Sequence, residues 1–155
     1  MLRTLALSLL LAAFAAAQDR RPQIAAVLDD WHHAASIADE SRYFDHFAPQ
    51  GVFMGTDATE RWTVAEFRAW AQPHFRKKAA WSFHPRDRHI AISPDTRTAW
   101  FDEMLDTPNM GACRGSGVLL RIGDTWKIAQ YNLSIPIPNA LAGAIVKQIA
   151  AQPHQ

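Results

Sequence analysis

The sequence predicts an α+β domain in which a cone-shaped, curved antiparallel sheet packs on N-terminal helices and leaves one pocket at its open end. Three observations predict it. Cys113 to Asn139 reads as two long strands joined by a tight Gly123-Asp124 turn, with a proline-punctuated exit at Pro136 and Pro138. Gln23 to Ala38 carries an apolar stripe at helical spacing. The helical patterns come first and the strand patterns after, so the sheet must bury one face against those helices.

Taken in order, the chain opens with Arg3 and an apolar run from Leu5 to Ala16, the length of a signal-peptide core and too short to span a bilayer. Ala15-Ala16-Ala17 fits the small-x-small cleavage rule, which sets residues 1–17 as a signal peptide and 18–155 as one domain. The first helix buries Ile24, Val27, Leu28, Trp31, Ala34, Ala35 and Ala38. After Asp39 a shorter helix shows Tyr43, Phe44 and Phe47 on one side, and Pro49-Gln50-Gly51 breaks it. Val52 to Met54 is a short strand and Gly55-Thr56-Asp57 a turn. Thr63 and Glu66 form a capping box, opening a helix with Phe67, Trp70, Ala71 and His74 on one face, which Pro73 ends or bends. Strands follow over Trp81–Ser93, broken near Pro85, and over Thr98–Leu105. The long hairpin comes next, with Gly115 and Gly117 marking a bulge. A last helix covers about 140–151, with Asn139 as N-cap and Leu141, Ile145 and Ile149 on one side.

Charge narrows the partner classes. The 155 residues hold 16 Lys/Arg and 15 Asp/Glu, and losing Arg3 with the signal segment makes the two counts equal. Nucleic-acid binding needs a basic excess to neutralise phosphates, so it is excluded. No membrane association is expected after cleavage. Cys113 is the single cysteine, so no internal disulfide can form and the fold stands on packing. It reads as a small buried hydrophobe. No His/Asp/Glu pair falls at a metal-ligand spacing: His32 and His33 point about 100° apart on a helix, and His84 and His89 fall on opposite faces of a regular strand. No metal and no cofactor is expected.

The candidate chemistry depends on strand parity. Trp126, Ile128, Gln130, Asn132 and Ser134 share one face of a regular strand, which turns Gln130 and Asn132 toward the pocket. A single β-bulge would turn Tyr131 and Leu133 inward instead. Asp102 and Glu103 lie on opposite faces. Asp102 sits with Trp100 and Met104, a setting that would raise a carboxyl pKa; a salt bridge from Asp102 to Arg114 on the next strand is the competing reading. His74, on the apolar face of the capped helix, is either a general base at the cone mouth or a structural histidine. Asp102 and His74 are therefore the catalytic candidates. Tyr43, Trp62, Trp70, Trp100, Arg114, Gln130 and Asn132 are the ligand-binding candidates, the aromatics as cavity wall and the polar groups as carbonyl-orienting partners.

Several segments carry a family resemblance: Gly55-Thr56-Asp57 before Glu60-Arg61-Trp62, Ala99-Trp100-Phe101, and above all Gly123-Asp124-Thr125-Trp126-Lys127-Ile128 leading into Gln130-Tyr131-Asn132-Leu133-Ser134. The chain resembles the SnoaL-like family of the nuclear transport factor 2-like superfamily over about residues 22 to 137. The resemblance implies a nuclear transport factor 2-like (cystatin-like) roll, and a homodimer formed through the convex sheet face. It implies a range of activities from cyclases, isomerases and dehydratases to no catalysis at all. Many related sequences carry His-x-His where this chain has Gln130 and Asn132, which removes two titratable groups. The expectation is an exported protein, periplasmic or secreted, that binds or transforms a small hydrophobic molecule by cofactor-free acid/base chemistry. The alternative is a non-catalytic dimerisation or ligand-binding module.

Overall fold

The computed structural model describes residues 19–152. The expected signal segment, residues 1–17, lies outside them. In chain order the elements are α1 (Arg21–Ser36), α2 (Glu40–Asp45), β1 (Phe47–Met54), β2 (Arg61–Thr63), α3 (Val64–Phe75), β3 (His84–Ile92), β4 (Thr98–Thr107), β5 (Gly111–Ile122), β6 (Thr125–Ser134) and α4 (Asn139–Ala150). One six-stranded sheet has the order β2-β1-β6-β5-β4-β3. Every neighbouring pair is antiparallel except β1 and β6, which run parallel. The predicted curved sheet on N-terminal helices is the observed architecture.

α1 starts with Pro22 in its first turn, where no amide hydrogen is needed. It buries Ile24, Leu28, Trp31, His32, Ala34 and Ala35 against the sheet. Its terminal carbonyls are satisfied from outside: Ala34 O accepts the Asp39 amide (2.9 Å), and Ala35 O accepts the Ala80 amide (3.0 Å), tying the segment after α3 to α1. Trp31 is the centre of the core, stacked on Tyr43 at 5.0 Å and edge-on to Tyr131 at 4.6 Å. Each such ring pair adds about 0.5–1.5 kcal/mol beyond area burial.

Several boundaries differ from the sequence expectation. Pro49-Gln50-Gly51 does not end a segment; these residues lie inside β1, which starts at Phe47. The register with β6 shifts between Phe47 and Val52, and such an irregularity tolerates a proline that cannot donate to the ladder. α3 continues past Pro73 to Phe75, since so near the end only one helical hydrogen bond is lost. β3 starts at His84, leaving Trp81 to Phe83 as non-strand chain beside the cavity. Pro138, not Asn139, precedes the first helical residue of α4. No residue of α4 is buried; Leu141, Val146 and Ile149 are 54–65% exposed.

Two bulges set which side chains face the helices. On β6, Ile128 opposes Leu119 and Gln130 opposes Val118, so Ala129 is an extra residue. Trp126 and Ile128 face inward before it, Tyr131 and Leu133 after it. This is the parity flip that the regular-strand reading would miss. Gly117 permits it, because a Cβ there would lie 2.3 Å from the Gln130 carbonyl oxygen. On β3 the register shifts between Arg86 and His89, with Asp87 at φ 51°. His84 and His89 therefore end on the same outer face, opposite Asp106 and Asp102, rather than on opposite faces.

Candidate functional site

The cone mouth is built by α3, the β1–β2 turn, the segment after α3 and the β4–β5 turn. α3 is anchored by the predicted capping box: the Thr63 amide donates to Glu66 Oε2 (2.8 Å) and the Glu66 amide to Thr63 Oγ1 (3.3 Å). From that start Phe67, Trp70 and His74 project on one side at i, i+3 and i+7. Trp62 comes from β2, held opposite Phe53 by the β1–β2 pairing. The opposite lip is the Thr107–Met110 turn, where Thr107 Oγ1 donates to Gly111 O and accepts the Met110 amide, both at 3.0 Å. Gly111 completes it at φ 70°.

Together these enclose a cavity of about 330 Å³, open on one side. One wall is a run of near-parallel rings. Trp62 lies 5° from the plane of Phe67 and 25° from that of Trp70, and Trp70 stacks on the His74 imidazole at 4.9 Å. Trp81 stands 27° from the Phe67 plane. Phe83, Met110 and Leu133 add apolar surface; Glu60, Thr107, Asn109 and Ser82 add polar atoms. Glu60 Oε2 accepts the Asp57 amide at 3.2 Å. Among the described residues neither Glu60 nor His74 enters an ion pair.

Of the residues expected at the site, Trp62, Trp70 and His74 are at this wall. The others are elsewhere. Tyr43 is buried in the core beneath Trp31, with burial raising its phenol pKa well above the ordinary value. Trp100 and Asp102 lie on the outer face of β4, because Ala99, Phe101, Glu103 and Leu105 take the inward positions. Asp102 is 58% exposed and its Oδ1 is 3.4 Å from His89 Nδ1, not bonded to Arg114. Arg114 sits opposite Met104 and Ser134 on the same outer face. Gln130 is exposed, and Asn132 lies in an open groove with Met54, Ile135 and Ile145. One geometric cause covers the strand residues among these: the face chosen for the pocket is the outer one on β4, at Arg114 of β5 and beyond Ala129 on β6, whereas Tyr43 of α2 is simply taken up by the core.

The acid that does face inward is Glu103. Its Oε1 lies 2.7 Å from His32 Nε2, and its Oε2 accepts from Arg88 Nε at 2.6 Å. Arg88 is turned inward by the β3 bulge and also reaches Asp29 Oδ1 (2.7 Å) and Ala25 O (3.1 Å). Burial alone would raise the Glu103 carboxyl. The hydrogen bond and charge of His32, with the Arg88 guanidinium, overcome that and hold it below its ordinary value. The cluster clamps α1 to β3 and β4, while Phe83, edge-on to His32 at 6.0 Å, lines the cavity. The alternation Ala99-Phe101-Glu103-Leu105 was the available sequence signal for Glu103. Glu60 carried none, since its position depends on the 55–60 turn closing through the Gly55 amide to Glu60 O (2.9 Å). The thiol of Cys113 is buried, and burial raises its pKa, which suits a packing role.

The element order, the curved six-stranded sheet and the ring-walled hollow at its open end define a nuclear transport factor 2-like roll. The chain belongs to the family of SnoaL-like domains, whose model matches residues 24–138. Solved structures share the fold at low identity. A nuclear transport factor 2-like protein of unknown function from Pseudomonas putida is 12% identical, with TM-score 0.64, covering 76% of this chain and 87% of that one. A candidate aromatic ring hydroxylase from Novosphingobium aromaticivorans is 17% identical (TM-score 0.62, 77% and 91% covered). A candidate dehydratase from Streptomyces avermitilis is 14% identical (TM-score 0.61, 76% and 96% covered). No curated protein matches the sequence significantly.

Proposed function

We propose that this protein is exported and binds a small, flat, mainly hydrophobic molecule in the cavity between α3 and the 107–110 turn. The observation that carries this reading is the wall of near-parallel rings, Trp62, Phe67 and Trp70, facing a space of about 330 Å³ with one open side. That volume is at the lower end of ordinary small-molecule sites, and a few convergent polar groups in an apolar wall are what fixes a ligand's orientation. Aromatic faces spaced this way offer stacking area to a planar guest.

Any chemistry here is cofactor-free proton transfer of the isomerase, cyclase or dehydratase type, with His74 and Glu60 as the titratable groups at the wall. The relatives described as a candidate dehydratase and a candidate ring hydroxylase support a small-molecule role for such cavities without naming the ligand. Asp102, Arg114 and Gln130 take no part in this reading, since they lie on the outer face. A homodimer through that outer face is part of the proposal, supported by the half-exposed indole of Trp100 there.

The experiment is native mass spectrometry of the protein purified from its own periplasm or medium, followed by heat-stability measurements with a panel of planar hydrophobic compounds. A co-purified small molecule, or a midpoint raised by several degrees with wild type and not with Trp62→Ala, is the expected result. An empty protein that no compound stabilises would overturn the reading. An N-terminus at Gln18 in the recovered protein would check the export step.

A further inference from the structure

We infer that the ligand of this cavity is an aromatic cation: a planar ring system bearing an amine or a quaternary ammonium group. The inference rests on the proposed binding role of the cavity and specifies its substrate class. Its basis is the charge inventory of the wall. Of the side chains that line the cavity, only Glu60 is formally charged, and no Lys or Arg is among them. Three of the lining residues are tryptophans, Trp62, Trp70 and Trp81.

Tryptophan faces carry negative quadrupole density and attract cations, most strongly where water is excluded. A carboxylate at the rim of such a wall adds a charge-assisted partner for an N–H donor. The same arrangement disfavours an anion, which would meet both the ring faces and the Glu60 carboxylate with no Lys or Arg in the lining to offset them, the His74 imidazole being the one lining group that can take up a proton. Glu60 is free to serve. One oxygen accepts the Asp57 amide, and a carboxylate has capacity for several further donors. It forms no ion pair within the described residues. Glu60 lines both the cavity and the adjoining outer groove, whereas its neighbour Arg61 lines only the groove.

Three matched probes test this by calorimetric titration at low salt: 2-naphthylmethylamine as its cation, 2-naphthalenemethanol as the neutral form, and 2-naphthoate as the anion. The expected order is cation, neutral, anion, with the cation bound at least tenfold more tightly than the alcohol. Glu60→Gln retains an oxygen for the Asp57 amide, so its melting temperature should match wild type. In that variant the amine's advantage over the alcohol should shrink by about threefold or more, the remainder coming from the tryptophan faces. An amine that binds wild type no better than the alcohol overturns the cation assignment and leaves the cavity reading intact, and a preference that Glu60→Gln leaves undiminished overturns the role given to Glu60. Binding of none of the three overturns the cavity reading, and this inference with it.

Discussion

Glu103 and Arg88 form a pair that neither can leave without exposing the other to an apolar surrounding. Glu103 is 1% exposed and bonded to both His32 and Arg88. Glu103→Ala leaves Arg88 Nε and His32 Nε2 without their acceptor, while the other Arg88 bonds to Asp29 and Ala25 remain, and is expected to cost about 3 kcal/mol. Urea denaturation checks it, with Lys78→Ala, an exposed side chain outside the sheet, as a control that should change little. The same region sets the acid response. Glu103 and Asp30 both hold folded-state pKa values below their ordinary ones. Asp30 is lowered to about 2, first by its hydrogen bonds from Arg42, against burial, and then by His46. Unfolded chains bind protons at these carboxyls more readily than the folded protein does. Their contribution to stability is therefore complete above about pH 4.5, the ordinary Glu value, and is lost as pH falls toward 2. Urea midpoints measured from pH 6 to pH 2.5 should decline most steeply below 4.5, and Glu103→Gln should flatten that decline.

At the level of elements, α3 ties the stability of a helix to the shape of the cavity. Thr63→Ala removes one half of the capping box and should cost about 0.5–2 kcal/mol. Because α3 carries Trp70 and His74, the same change should weaken binding of a naphthalene-sized probe several-fold, whereas Thr63→Ser should restore both readouts. The β6 bulge depends on a close approach at Gly117. A Cβ there would meet the Gln130 carbonyl at 2.3 Å and the Phe101 ring at 2.9 Å. Gly117→Ala must shift backbone and should destabilise by about 1–3 kcal/mol, the ordinary cost of overpacking. In contrast α4 buries none of its residues. Ending the chain after Pro138 should change the urea midpoint free energy of the isolated protein by no more than about 0.5 kcal/mol. A larger loss would show that α4 is buried in the assembled protein.

For the whole molecule, the proposed homodimer should sediment at twice the chain mass at micromolar concentration. Trp100→Glu, a charge placed on the outer sheet face, should shift it toward monomer without lowering secondary-structure content. A wild-type monomer at that concentration would overturn the assembly. Helix and strand identity were legible in the sequence because they follow from local periodicity: the α1 stripe, the Thr63–Glu66 capping box and the Gly123-Asp124 hairpin each encode their own geometry within a few residues. Trp70 and His74 were legible as neighbours at the cavity wall for the same reason, since helical spacing puts them on one face, and Trp62 of β2 joins them there. Asp102, Trp100, Arg114, Gln130 and Asn132 were not placed correctly relative to the hollow. Side-chain direction in a strand has period two, and one extra residue reverses everything beyond it. Ala129 is such a residue, and nothing in its identity marks it. The β3 bulge aimed Arg88 at Glu103 in the same unmarked way. The sequence by itself determined the order of the helices and long strands and the abundance of rings, which local patterns specify, and its family resemblance pointed to the fold; the three-residue β2 left no pattern to read. Only the tertiary structure decided which acid faces inward and that Glu60 stands at the cavity wall. Those outcomes depend on strand register and turn closure, which are set by contacts between residues far apart in the chain.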